Sequence, residues 1–192
     1  MNLPIQLTLT RICLVPLVVV FLISTDSIDA IVAAVLFGVA ALTDWLDGLI
    51  ARRRRQETTL GKLLDPVADK LLVAAALISL VQVGRVGAWI VVIIIGREFA
   101  VTGLRAISAS QGVVIGASDL AKYKTVAQYV AVSLLILEKN VPLGLESEYL
   151  YVSRGALWAA VFLTVFSGVD YFIRFYRRTD LEALVREDDR WR

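Results

Sequence analysis

Four aspartates lie close together in an otherwise apolar part of the chain, at Asp44, Asp47, Asp65 and Asp69. Asp44 and Asp47 are three residues apart and Asp65 and Asp69 are four apart, so each pair would share one face of a helix. Four neighbouring carboxylates repel one another and shift toward protonation unless cations compensate them. We therefore predict that two helix ends aim these four side chains at a shared cation site.

The composition restricts the chemistry of such a site. The chain contains no histidine and one cysteine, Cys13, which excludes imidazole acid–base chemistry, His- or Cys-ligated zinc, Cys–His nucleophiles and an internal disulfide. Ligation by carboxylates alone suits the hard cations Mg²⁺ or Mn²⁺. Two such ions would balance the four carboxylates.

Small residues accompany both aspartate pairs. Gly48 and Ala51 share the helix sector of the first pair, and Gly61 lies four residues before the second, which leaves room for a bulky phosphate ligand near the backbone. An alternative is that the aspartates form interfacial salt bridges with the arginines at 52–55. For the arginines after Arg52 we favour a role as a topology signal. A salt bridge does not require two helices that each carry aspartates on one face beside small residues. For the aspartates we therefore favour the cation site.

The apolar residues predict one integral membrane domain over residues 1–192. The chain is 58% hydrophobic with a mean hydropathy of +0.72, and we predict an all-α protein with six transmembrane helices. Residues 1–30 have one basic residue, Arg11, before the apolar run and no convincing cleavage site, so we expect a membrane helix and not a cleaved signal peptide. The six uncharged runs are 12–25, 30–43, 71–84, 86–96, 125–137 and 155–169.

Lysine and arginine predict the orientation. With a cytoplasmic N-terminus, only Arg85, Lys139 and Arg154 lie on the outer side. In the first five spans, the charges that interrupt the apolar runs then all lie at the cytoplasmic end, which predicts a polar cavity in the cytoplasmic half.

Residues 173–192 would form a cytoplasmic surface tail, either a helix at the membrane surface or, as we favour, a solvated charged segment.

The spacing of the aspartate segment resembles the signature of a known family. Eight fixed residues over 26 positions match without departure the pattern of the CDP-alcohol phosphatidyltransferases: Asp44-x2-Asp47-Gly48-x2-Ala51-Arg52-x8-Gly61-x3-Asp65-x3-Asp69. This resemblance implies a six-helix fold, a dinuclear metal site, usually a homodimer, and a reaction that joins a CDP-activated lipid to an alcohol and releases CMP. It implies that Asp44, Asp47 and Asp65 are metal ligands and that Asp69 is both a ligand and the general base. It also implies a CDP site lined by Gly48, Ala51, Arg52 and Gly61.

Further segments resemble one bacterial branch of this family over roughly the first two-thirds of the chain. The branch resemblance implies transfer of the phosphatidyl group of CDP-diacylglycerol to sn-glycerol 3-phosphate, giving phosphatidylglycerophosphate and CMP, by metal-assisted in-line attack. It also implies a multi-pass protein of the bacterial inner membrane with its active site facing the cytoplasm. The segments are NLPIQLTLTRI, TDWLDG, LLDPVADKLL, GREFAVTGLRA and KYKTVAQ.

An acceptor that carries a phosphate requires cations. Arg97, Arg105, Lys122 and Lys124 lie at the same predicted inner end as the aspartates and could bind the dianion through charge-assisted hydrogen bonds. The alternative is that they are only positive-inside flanks. Lys122 and Lys124 project about 200° apart on a helix, so one of them faces inward unless the helix begins between them. Glu98 lies seven residues before Arg105 on nearly the same face and could neutralise it.

Three other functions remain open from the sequence. The same chemistry could use inositol phosphate, phosphatidylglycerol or serine as the acceptor. Intramembrane acids also occur in divalent-cation transporters, but all four aspartates lie at one predicted membrane end and give no path across. A purely structural membrane protein would leave the charge-lined inner half unexplained.

Overall fold

The computed structural model describes the backbone of residues 3–54, 59–110, 119–142 and 144–188. It describes the side chains of residues 9–43, 67–68, 70–110, 120–142 and 144–178. Side chains of the aspartate segment, and of the tail beyond residue 178, therefore lie outside the described residues.

Over these ranges all regular secondary structure is helical. A short 3₁₀ turn, Glu138–Asn140, follows the fifth helix. The helices are α1 (Leu3–Ile23), α2 (Ser27–Arg54), α3 (Thr59–Gln82), α4 (Ala88–Ser110), α5 (Asp119–Leu137) and α6 (Glu146–Asp188).

The helices agree with the six predicted from the uncharged runs, and they also include the charged flanks. The backbone of α2 stays helical through the arginines to Arg54, and α5 begins at Asp119, before its two lysines. A helix satisfies its own backbone hydrogen bonds whatever its side chains carry, so charged residues extend these helices without breaking them.

Helix α6 is much longer than its apolar run. It has 43 residues, which at 1.5 Å per residue is about 65 Å, or roughly twice the hydrocarbon thickness of a bilayer. The predicted tail at 173–192 is thus helical as far as Asp188 and continuous with α6. Whether it lies at the membrane surface or in solvent stays a prediction.

Two helical segments of the described chain are long and apolar enough to cross a membrane, by length and composition. They are Leu120–Asn140 and Glu146–Arg178. Shorter apolar helical segments are Leu9–Ile23, Ser27–Thr43 and Lys70–Gln82. Large apolar side chains are widely exposed, among them Val20, Ile28 and Val92, as expected of a surface that faces lipid.

The core lies where the helices pack together. It combines large apolar side chains with alanines such as Ala33, Ala40 and Ala76, which are completely buried. Small residues at helix contacts allow close approach of the backbones, which is how helices gain packing energy in a membrane. The large members are Phe37, Leu72, Leu77, Leu80, Ile94, Leu135 and Ile136.

Polar contacts join the helix ends on the side that the sequence predicts to be outer. Nη1 of Arg85 donates hydrogen bonds to the carbonyls of Leu135 (2.7 Å) and Ile136 (2.9 Å), at the end of α5. Arg154 on α6 donates to the Arg85 carbonyl and pairs with Glu138 at 3.5 Å. Burial lowers the pKa of the Arg85 guanidinium, and the nearby Glu138 opposes that shift. Arg85 thus caps carbonyls in the last turn of α5, where helix carbonyls commonly lack backbone partners.

Candidate active site

A cavity of about 400 Å³ lies between α3, α4 and α5. Its walls are mainly apolar, with Leu71 and Ala74 on α3 facing Ile94 and Ile95 on α4. Polar groups from all three helices also line it, which gives the cavity an amphipathic lining. These groups are Lys70, Glu98, Thr102, Lys124, Thr125 and Gln128.

One carboxylate oxygen of this cavity is shared by two cations. Oε1 of Glu98 accepts a hydrogen bond from the Lys124 ammonium group and lies 3.2 Å from Nη1 of Arg97. The side chains of Lys124 and Arg97 are only 6% and 12% exposed, and that of Glu98 is 18% exposed. At such burial the pairing matters, because an unpaired charge would be costly.

Arg97 is held from a third helix as well. Its Nη2 donates a 2.8 Å hydrogen bond to Oγ of Ser167 on α6. The side chain passes over Gly168, where an added Cβ would lie only 3.0 Å from Cγ of Arg97. Within the described part of the chain, the buried Nε of Arg97 has no hydrogen-bond partner. The guanidinium is therefore held by contacts from both α4 and α6.

The other predicted basic residues occupy different environments. Lys122 is exposed, whereas Lys124 is buried and lines the cavity, as their separation of about 200° on a helix requires. The Arg105 guanidinium lies 5.9 Å from the centre of the Tyr171 ring on α6, within range of a cation–π contact. The structure thus brings Arg97 and Lys124 together and places Lys122 on the exposed surface of α5.

Helices α5 and α6 supply polar partners that were not predicted from the sequence. Nε2 of Gln128 donates a 3.0 Å hydrogen bond to Oγ1 of Thr164, and both residues are buried. Gln128 lies one turn after Lys124, and Ser167 lies three residues after Thr164. These polar residues recur at helical spacing within apolar runs, and that pattern could have indicated a polar face shared by α5 and α6.

Glu98 also differs from its predicted role. The spacing of seven residues suggested that it neutralises Arg105, but its described partners are Arg97 and Lys124. A spacing rule considers only neighbours on one helix, whereas Lys124 reaches Glu98 from α5.

The aspartate segment is described at the level of its backbone. Asp44, Asp47, Gly48, Ala51 and Arg52 lie on α2, and Gly61, Asp65 and Asp69 lie on α3. The helical backbone agrees with the assumption that put each carboxylate pair on one face. Their side chains lie outside the described residues, so metal ligation, CDP binding and the role of Asp69 stay predictions.

A buried arginine packs beside this segment. Arg11 on α1 is 1% exposed, and its Nε donates a 3.3 Å hydrogen bond to the carbonyl of Ala40 on α2. Ala40 lies one helical turn before Asp44. A positive charge from α1 therefore lies next to the point on α2 where the acidic residues begin.

Comparison with known proteins identifies the family of this chain. The sequence profile described as CDP-alcohol phosphatidyltransferase matches residues 1–166, which is most of the chain. The protein belongs to the CDP-alcohol phosphatidyltransferase family, a family of membrane proteins.

Individual relatives are similar over nearly the whole chain. The CDP-diacylglycerol–glycerol-3-phosphate 3-phosphatidyltransferase of Bacillus subtilis is 47% identical over 183 residues, covering 89% of this chain and 93% of the relative. The protein of the same name from Rickettsia bellii is 40% identical, covering 89% and 93%. A cardiolipin synthase (CMP-forming) of Oryza sativa subsp. japonica is 34% identical, covering 92% of this chain and 58% of that protein.

Proposed function

We propose that this protein transfers the phosphatidyl group of CDP-diacylglycerol to sn-glycerol 3-phosphate, releasing CMP and forming phosphatidylglycerophosphate. The observation that carries the proposal is the 47% identity to the Bacillus subtilis transferase over 89% of this chain. Membership of a transferase family decides against the cation transporter and the purely structural protein.

The basic residues supply a site for the acceptor phosphate. Arg97 and Lys124 meet at Glu98 beside the cavity, and Arg105 lies two turns further along α4. Phosphate dianions are bound strongly by arginine and lysine in such partly buried settings. We assign Arg97 and Lys124 the leading roles, with Arg105 and the exposed Lys122 completing the positive rim.

The aspartate segment supplies the chemistry. Two Mg²⁺ or Mn²⁺ ions would be held by carboxylate oxygens, the ligands that these hard cations prefer. The carboxylates are those of Asp44, Asp47, Asp65 and Asp69, and the chain has no histidine to offer instead. Bound ions of this kind would neutralise the pyrophosphate and the charge that grows on the departing CMP. Gly48, Ala51, Arg52 and Gly61 would border the nucleotide.

In the proposed reaction, Asp69 removes the proton from the C1 hydroxyl of glycerol 3-phosphate. The hydroxyl oxygen then bonds to the lipid-side phosphorus as the bond from that phosphorus to CMP breaks in line. Arg97 and Lys124 hold the acceptor phosphate during the attack, so that its hydroxyl stays oriented toward the phosphorus.

The direct test is CMP release by purified protein given CDP-diacylglycerol and Mg²⁺. We expect release only when glycerol 3-phosphate is present, with loss in EDTA and recovery when Mg²⁺ is restored in excess. Glycerol, inositol phosphate, serine and a sample without acceptor are the controls. Release that depends on one of these instead would overturn the proposed acceptor.

Substituting Asp69 tests the assigned base. We expect Asp69→Asn to reduce kcat by at least about a hundredfold, the lower range for loss of a general base, while CDP-diacylglycerol binding remains measurable. Turnover near the wild-type rate would contradict the role of Asp69. Equilibrium binding of the lipid nucleotide to the same preparation shows whether the variant is folded.

A second candidate acceptor is phosphatidylglycerol, as in cardiolipin formation. The observation in its favour is the 34% identity to the rice cardiolipin synthase. The discriminating measurement is the lipid product formed when both acceptors are offered together. We expect phosphatidylglycerophosphate, since a terminal phosphate dianion matches the paired cations better than a phosphodiester with one charge.

We also propose that the protein works as a homodimer in the bacterial inner membrane, with the polar groups of the cavity at the cytoplasmic side. Exposed apolar surface on α3 and α4 outside the cavity, including Ile78, Val92 and Ile93, provides area that lipid or a second copy can cover. Native mass spectrometry in detergent is expected to show a dimer, and a monomer under all conditions would contradict this assignment.

A further inference from the structure

Glu98 is an acidic residue in a place where the proposed substrate is also an anion. It lines the cavity between α3, α4 and α5 together with Lys124. A carboxylate repels a phosphate dianion, so in a simple phosphate site it would weaken binding. Its presence beside two cations therefore calls for a function.

The contacts of Glu98 indicate what that function is. A single oxygen, Oε1, receives both Lys124 from α5 and Arg97 from α4. Two cations at this separation repel each other, and each would otherwise choose among many rotamers. The shared carboxylate holds both in one geometry and leaves the three groups with a single net positive charge.

The remaining contacts show that the arrangement is built and not accidental. Ser167 binds the far nitrogen of the Arg97 guanidinium at 2.8 Å, and Gly168 leaves room for its stem. The buried Nε of Arg97 still lacks a partner among the described residues. The pair of cations is thus oriented in advance by contacts from α4, α5 and α6.

We propose that Glu98 is a positioning residue that fixes Arg97 and Lys124 as one preformed binding pair for the acceptor phosphate. The inference rests on the proposed function. Glu98 would increase the affinity for the acceptor by holding its two cationic partners in place. It would not contact the reacting atoms.

The first test compares Glu98→Gln with the wild type. We expect KM for glycerol 3-phosphate to rise by about tenfold, as for loss of a charged hydrogen-bond partner, while kcat and KM for CDP-diacylglycerol change by less than about threefold. Inhibition by inorganic phosphate should weaken in parallel. Glu138→Gln is the matched control, because Glu138 also pairs with an arginine but lies in the contacts at the opposite helix ends.

Glu98→Asp separates position from charge. It keeps the negative charge but withdraws the carboxylate by about 1.5 Å, one carbon–carbon bond, so we expect it also to raise KM for glycerol 3-phosphate. A wild-type KM in this variant would overturn the positioning role. It also keeps the proposal testable if Glu98→Gln does not fold.

A double-mutant cycle tests whether Glu98 acts through Lys124. In a Lys124→Gln background, Glu98→Gln should raise KM much less than it does alone, because the pair to be positioned is already broken. Full additivity would overturn the inference while leaving the proposed function intact. If the wild-type protein shows no CMP release that depends on glycerol 3-phosphate, both the inference and the proposed function are wrong.

Discussion

Lys122 and Lys124 are alike in charge and differ in burial, which makes them a natural pair for substitution. Lys124→Gln should lower kcat/KM for glycerol 3-phosphate by about 10- to 100-fold, the range for a buried charged hydrogen bond. Lys122→Gln should lower it by only about threefold, since screened surface charge contributes less. Steady-state kinetics on both variants checks this, and equal losses would contradict the assignment of Lys124 to the site.

Gly168 provides a second residue-level test, because its lack of a side chain accommodates Arg97. Gly168→Ala would place a Cβ 3.0 Å from Cγ of Arg97, so the stem of Arg97 must give way slightly and the substitution perturbs the base of its side chain. We expect KM for glycerol 3-phosphate to rise by about three- to tenfold, as for modest overpacking. Gly155→Ala is the matched control on α6, because no atom lies within 4 Å of its added Cβ. A rise in both variants would indicate a general effect on α6.

How far the sequence predicts the site differs from residue to residue. Helical geometry alone required Lys122 and Lys124 to face different ways, but not which of them faces inward. The pairing of Glu98 with Lys124 could not be read from spacing, because it depends on how α4 and α5 pack. The aspartate pattern is the strongest sequence signal, and its side-chain geometry remains a prediction.

At the scale of secondary structure, Arg85 is the clearest example of one element stabilising another. It lies between α3 and α4 and bonds two carbonyls at the end of α5. Arg85→Gln should lower Tm in detergent by about 3–8 °C, from the loss of hydrogen bonds worth roughly 1 kcal/mol each.

The same Arg85→Gln variant should keep KM for both substrates within about twofold of the wild type, a change of less than 1 kcal/mol, because these contacts lie at the helix ends opposite Lys124. Lys139→Gln, on the neighbouring 3₁₀ turn, is the control for charge loss alone. An unchanged Tm in Arg85→Gln would show that the cap contributes nothing measurable.

Helix positions were more predictable than helix ends. The uncharged runs located the six helices of the described chain, because runs of apolar residues mark segments that are buried in a core or face lipid. A helix in the tail was the less favoured of two predictions, and α6 extends to Asp188. Charged residues after an apolar run are compatible with either a helix or a solvated tail. Residues such as Glu182 and Leu184 favour helix by propensity, but the hydropathy pattern alone conceals this.

At the scale of the whole molecule, the orientation in the membrane is open to direct measurement. In a Cys13→Ser background, we expect Lys139→Cys to react with a membrane-impermeant maleimide in intact cells. Arg178→Cys, near the opposite end of the last apolar segment, should react only after permeabilisation. The reverse pattern would invert the predicted topology and move the proposed site to the outer face.

The buried Arg11 has a consequence for how the protein is made. Its carbonyl acceptor, Ala40, belongs to α2, which leaves the ribosome after α1. An arginine on a lone helix is poorly tolerated by lipid, and the Ala40 carbonyl becomes available to Arg11 when α2 arrives. The first two helices are thus suited to enter the membrane together as a hairpin. Their insertion as a pair would position the acidic end of α2 next to Arg11 before the later helices are made.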